Sequence, residues 1–135
     1  MQMLFWIFAL LSGGNGVWML VAPESWYHHL PAGVPDTGPF NHHFVQDIGA
    51  AYTTVGVAFA VAAVQPAARR TVVGVAALFF ALHAAVHVAD LFTGRLHPGH
   101  WGLDLPGVFL PAIILLVLCL PRFWQSADGG RHGSH

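Results

Sequence analysis

Apolar residues along this chain fall into four runs, at residues 3–22, 41–64, 71–92 and 104–124, separated by shorter polar stretches. Each run reaches or approaches the roughly 20 residues that a helix rising 1.5 Å per residue needs to cross a ~30 Å hydrocarbon layer. The first run (MLFWIFALLSGGNGVWMLVA) lacks a basic leader and a small-residue cleavage site, so it reads as a helix rather than a signal peptide. The second has a capping residue in Thr37 or Asn41 and stops at Gln65-Pro66. The third follows Arg69-Arg70, and the fourth opens at Asp104 or Pro106, with Pro111 expected to bend it. Two stretches rich in Pro, Gly, Trp and His, residues 23–40 and 93–103, read as loops. The expectation is an all-α fold: one integral membrane domain over residues 1–126, a four-helix up-down-up-down bundle.

Composition supports that reading. Of 135 residues, 56% are hydrophobic and 8% charged, a balance unsuited to a small water-soluble domain. The chain has no lysine and a formal net charge of −1, which removes nucleic acid as a partner. One cysteine, Cys119, excludes an internal disulfide and a cysteine-based zinc motif. Arg69, Arg70 and Arg122 lie on the side of the two termini, so the positive-inside rule places both ends in the cytoplasm. The expected location is a bacterial inner membrane, crossed several times, with the His-rich loops facing the periplasm or exterior and Arg95 the one exception. Residues 127–135 read as a disordered tail whose final Gly-Ser-His resembles a tag remnant.

In this topology one face of the bundle collects His28, His29, Asp36, His42, His43, Asp47, His83, His87, Asp90, His97, His100 and Asp104. The sharpest pattern is His83-x3-His87-x2-Asp90. At 100° per residue, His87 and Asp90 lie about 40° and 20° from His83 around the helix, so the three share a face. His43 and Asp47 repeat the i, i+4 spacing on the second helix, with Gln46 nearby. Counted from the outer ends, the two sets sit at similar depth, and His83 falls about 13 Å inside, where an unpartnered polar group is costly. The expected metal site is therefore His43, Asp47, His83, His87 and Asp90, with His42, His97 and His100 as accessory ligands. Asp47 and Asp90 are the candidate general bases.

Imidazole and carboxylate ligands without thiolate suit a divalent metal ion (zinc, copper(II) or iron), with haem less favoured because of the adjacent carboxylates. Three readings stay open: a metal-dependent hydrolase or oxidase acting on an apolar or lipid-like substrate, a metal-binding or metal-delivery protein serving a periplasmic partner, and a His-Asp network for structure or proton relay without metal. The remaining polar features have simpler explanations. Ser12-Gly13-Gly14-Asn15-Gly16 suits close helix packing, with a substrate or lipid crevice as the functional alternative, and Trp6, Trp18, Trp26, Tyr27, Trp101 and Trp124 suit interfacial anchoring. Partners expected are the bilayer and a second copy of the chain.

The plan of four short helices, with a Gly-rich first and an apolar fourth, resembles small bacterial DoxX-like membrane proteins over most of the chain; no functional residue carries over. The H-x3-H pattern with aspartates is similar in chemistry to intramembrane zinc hydrolases of the ceramidase and adiponectin-receptor type, which have more helices.

Overall fold

The computed structural model describes residues 1–124, and among them every regular element is helical. In chain order these are α1 (Gln2–Val21), α2 (Pro23–His29), α3 (His42–Val64), α4 (Arg69–Phe92), α5 (His100–Leu103) and α6 (Leu110–Leu118), with short 3-10 or π turns between them. Three helical runs, Gln2–Val21, His42–Val64 and Pro66–Phe92, are long and apolar enough to cross a membrane. The tail expected at residues 127–135 lies outside the described residues.

Glycine sets the spacing of the first long pair. α1 and α3 meet along a seam where a Cβ on Gly56 would stand 2.5 Å from the Gly13 Cα, and one on Gly16 would stand 2.4 Å from the Thr53 backbone nitrogen. Apolar burial supplies little drive between helices that sit in hydrocarbon, so backbone proximity and van der Waals contact have to hold such a pair. Phe8 stacks on Phe59 at 4.9 Å and meets Phe80 edge-on at 6.5 Å, which ties α4 to the same core. Asn15 is held by the second element: the Trp26 indole N–H donates to its Oδ1 at 2.8 Å.

Ends are closed by the residue types their backbones need. Asn41 caps α3, its Oδ1 accepting from the Phe44 N–H at 3.1 Å. At the other end Arg69 donates to the carbonyls of Ala62 and Ala63, which have no partner within the helix, and its guanidinium lies over the Phe5 ring. Arg69 thus has a structural task besides its charge.

Two expectations change. The stretch 23–40 is not a plain loop: Pro23 opens a helix with Glu24 in its first turn, and a 3-10 turn follows at Val34–Thr37. The fourth apolar run is not one helix over 104–124. Its apolar helical core is Leu105–Leu118, shorter than the other three. Pro111 lacks an N–H, and the turn before it widens into a π-helical one (Leu105–Phe109) in which the Leu110 N–H reaches back to the Leu105 carbonyl. Pro121 then places Leu120 in an extended conformation and ends the run.

The glycine seam gives a direct test by equilibrium unfolding in mixed micelles. Gly56→Leu is expected to destabilise by about 1–3 kcal/mol or more through overpacking. Gly14→Leu, where a Cβ meets nothing within 4 Å, is expected to change stability little. Equal effects at the two positions would remove the seam from the account.

Candidate functional site

The polar centre of the molecule is built on Asp104, which enters the buried region because α5 and the π turn fold it back against α4. Asp104 is 2% exposed. The His87 Nδ1–H donates to its Oδ2 at 2.8 Å. Its Oδ1 faces the Nδ1 of His100 at 3.5 Å, the two residues lying four apart around the α5 turn. His100 is itself 1% exposed, and its Nε2 meets Oδ2 of Asp36 at 3.1 Å. Asp36 stands on the surface, in the 3-10 turn after α2. Imidazoles and carboxyls therefore alternate from the surface inward: Asp36, His100, Asp104, His87.

Helix geometry continues the chain. His83 lies one turn below His87, with ring centroids 4.8 Å apart. Its ring lies parallel to that of Phe79 at 6.3 Å and edge-on to Tyr52 of α3 at 6.1 Å. Phe80, on the buried stripe with Val73, Ala76 and Ala77, is only about 20° from His87 around the axis at 100° per residue, so the stripe that packs α4 also aims His87 inward.

A glycine shapes the outer cover. Gly33 has φ +63°, and a Cβ there would also lie 3.0 Å from His100 Cε1. Only a residue without a side chain turns the chain at that point without displacing the buried imidazole.

The five-residue metal set expected from the sequence does not come together. His43 and Asp47 interact only with each other, at 3.4 Å, on the outside of α3, with side chains 88% and 63% exposed. The buried residues of α3 are Val45, Gly49, Tyr52, Gly56, Phe59, Ala62 and Ala63, and Val45 is two residues from both His43 and Asp47. Two residues turn a helix 200°, so His43 and Asp47 lie about 160° from the seam. Depth alone matched them to α4; azimuth separates them. Gln46 is drawn to α1, where its Nε2–H donates to the Leu20 carbonyl at 3.0 Å.

Asp90 leaves the set for a second reason. Its Oδ1 accepts from Arg95 at 3.2 Å, and its carbonyl accepts from the N–H groups of Arg95 and Leu96 around Gly94 at φ +74°. Asp90 serves the end of α4. The accessory candidates also divide: His100 joins the buried chain, His97 accepts from the Gly99 N–H at the surface, and His42 lies edge-on to Phe40 on the exposed start of α3. Among the described residues no three His, Cys, Asp or Glu side chains are placed to hold one metal ion.

Three participants were absent from the expected site: Asp104, Asp36 and Tyr52. Signals for two of them stand in the chain. Asp104 follows His100 by four residues, and Tyr52 falls on the i, i+3, i+4 stripe of small and apolar residues in α3. Nothing local marks Asp36. Comparison with family models, curated proteins and solved structures finds no match to this chain.

Removing one partner from a buried pair leaves a polar group without solvent or ligand. Asp104→Ala is expected to lower unfolding free energy by about 3–5 kcal/mol. Asp47→Ala, on the exposed pair, should cost about 0–1 kcal/mol. Equilibrium unfolding of both variants in micelles checks the order, and a larger loss at Asp47 would contradict the geometry.

Proposed function

We propose that this protein is a four-pass inner-membrane protein whose work is acid–base: it moves a proton between the outer aqueous face and a buried imidazole pair, His83 and His87. The fourth pass in this reading is Leu105–Leu118 extended by the flanking turns His100–Leu103 and Pro121–Phe123. The termini lie in the cytoplasm, in keeping with Arg69, Arg70 and Arg122 on that side.

The observation that carries the reading is the alternation of carboxyl and imidazole groups around Asp104, hydrogen-bonded at Asp36–His100 and Asp104–His87, with His100 Nδ1 facing Asp104 Oδ1 but not bonded to it. An imidazole can take a proton at one nitrogen and release it from the other, and a carboxyl group can pass it between its two oxygens. The spacings run 3.1 Å from Asp36 to His100, 3.5 Å from His100 to Asp104 and 2.8 Å from Asp104 to His87. Chains of His and Asp inside membrane helices are expensive to keep and are used as relays. Asp104 also fixes the His87 ring through Nδ1, which leaves Nε2 for exchange with whatever lies beyond.

A metal-ion reading draws on the same pair. The His83 and His87 rings adjoin at i, i+4 spacing, and Asp104 holds His87 as a carboxyl group holds a ligating imidazole. Zinc, copper(II) or iron would suit two imidazoles and a carboxylate. The relay is the better supported of the two, because Asp104 is already hydrogen-bonded to His87 and faces His100, and among the described residues no three His, Cys, Asp or Glu side chains are placed to hold one metal ion.

Nitrogen-15 histidine NMR of the protein in nanodiscs separates the readings. Exchange of the His83 ring proton with water is expected to slow by about tenfold or more in Asp104→Asn and to change less than about twofold in Asp47→Asn. Unchanged exchange in Asp104→Asn would end the relay reading. Stoichiometric metal in tag-free protein, lost in both His83→Ala and His87→Ala, would favour the metal reading instead.

A further inference from the structure

The inner end of the relay carries polar groups that the fold does not use. Tyr52 is 8% exposed and lies on the α3 seam. Among the described residues, neither its hydroxyl nor a His83 ring nitrogen makes a hydrogen bond, yet the one fully buried side-chain nitrogen or oxygen without a partner is His100 Nδ1. The Tyr52 hydroxyl and the His83 nitrogens are thus uncommitted but still open to contact. Counted at 1.5 Å per residue, Tyr52 lies about 15 Å from the His42 end of α3 and His83 about 13 Å from the Phe92 end of α4, so both are deep in the apolar spans. A free hydroxyl and a free imidazole are costly at that depth unless something binds them.

We infer that Tyr52 and His83 form the polar end of a binding site for a lipid-soluble phenol that enters from the bilayer. A phenol oxygen accepts from the Tyr52 hydroxyl while its own O–H donates to the free His83 nitrogen, so one atom satisfies both groups. The side chains around the pair are aromatic. The Phe79 ring lies parallel to the His83 ring, and Phe79 and Phe80 both stand nearly perpendicular to Tyr52, at 5.4 and 6.0 Å. Aromatic rings favour such stacked and edge-on neighbours. An ether or an alkane bound there would leave His83 without a donor. The site deepens the acid–base reading and rests on it for one point alone: the proton of the bound hydroxyl is the one His83 shares with His87, whose ring is 4.8 Å away.

Binding of para-octylphenol and para-octylanisole to the full chain in nanodiscs, by titration calorimetry, tests the assignment. The phenol is expected to bind wild-type protein at least about tenfold more tightly than the anisole, the worth of one hydrogen bond in an apolar site. Tyr52→Phe should weaken phenol and anisole binding alike and keep the preference, because His83 still accepts from the phenol O–H, whereas His83→Leu should weaken phenol binding by about tenfold and erase the preference. Tyr52→Phe keeps the ring and so keeps the packing. His43→Ala should match wild type, and Asp104→Asn should bind the phenol within about twofold of wild type, because it cuts the relay beyond the site. Equal affinity for the two probes, or an unchanged preference in His83→Leu, overturns the inference. Loss of proton exchange with binding intact in Asp104→Asn upholds it, and unchanged exchange there removes only the relay.

Discussion

A carboxyl group at 2% exposure, flanked by helices that are themselves apolar, has neither water nor lipid headgroups to solvate it, so its neighbours must. That requirement at Asp104 organises the outer half of the molecule. It needs His87 on the inward face of α4, His100 brought back around the α5 turn, and the widened helical turn at Leu105–Phe109 that keeps the Asp104 carbonyl bonded to the Val108 and Phe109 N–H groups. It also needs cover, which the turn carrying Asp36 provides, with Gly33 making room for the His100 ring. A single buried acid thus couples three stretches that are far apart in the chain.

The α1–α3 seam obeys a different constraint. Gly13, Gly16, Gly49 and Gly56 let α1 and α3 approach until backbone meets backbone, and that contact sets which way α3 faces. Once α3 is locked in this rotation, Tyr52 points to α4 and His43 with Asp47 points outward. The same glycines therefore decide which polar residues of α3 are near the His83–His87 pair and which are not. Packing and chemistry are linked through azimuth.

Much of this was legible in the chain and some was not. The three long spans, the Asn41 cap and the stop at Gln65-Pro66 followed from length, hydropathy and punctuation. The shared face of His83 and His87 followed from helical spacing. What failed was the step from shared depth to shared site: counting residues puts His43 near the level of Asp90 and Asp47 near that of His87, but rise per residue carries no information about rotation, which a partner helix sets. Asp90 failed because an acid one turn before a helix end has a second use, bonding to the residues that close the turn. Asp104 was visible as the residue where the fourth run opens, yet its burial depended on how residues 93–103 fold, and local pattern does not state that. Asp36 reaches His100 across 64 positions of sequence, a contact that no short-range signal marks.

The most direct measurement is the dipolar coupling between the carboxyl carbon of Asp104 and Nδ1 of His87, by solid-state NMR of selectively labelled protein in bilayers. Strong dephasing is expected, matching an N···O separation of 2.8 Å, with none between Asp47 and His87. Coupling of His87 to Asp47 and none to Asp104 would contradict it, and would return the site to the pair of helices that the sequence alone suggested.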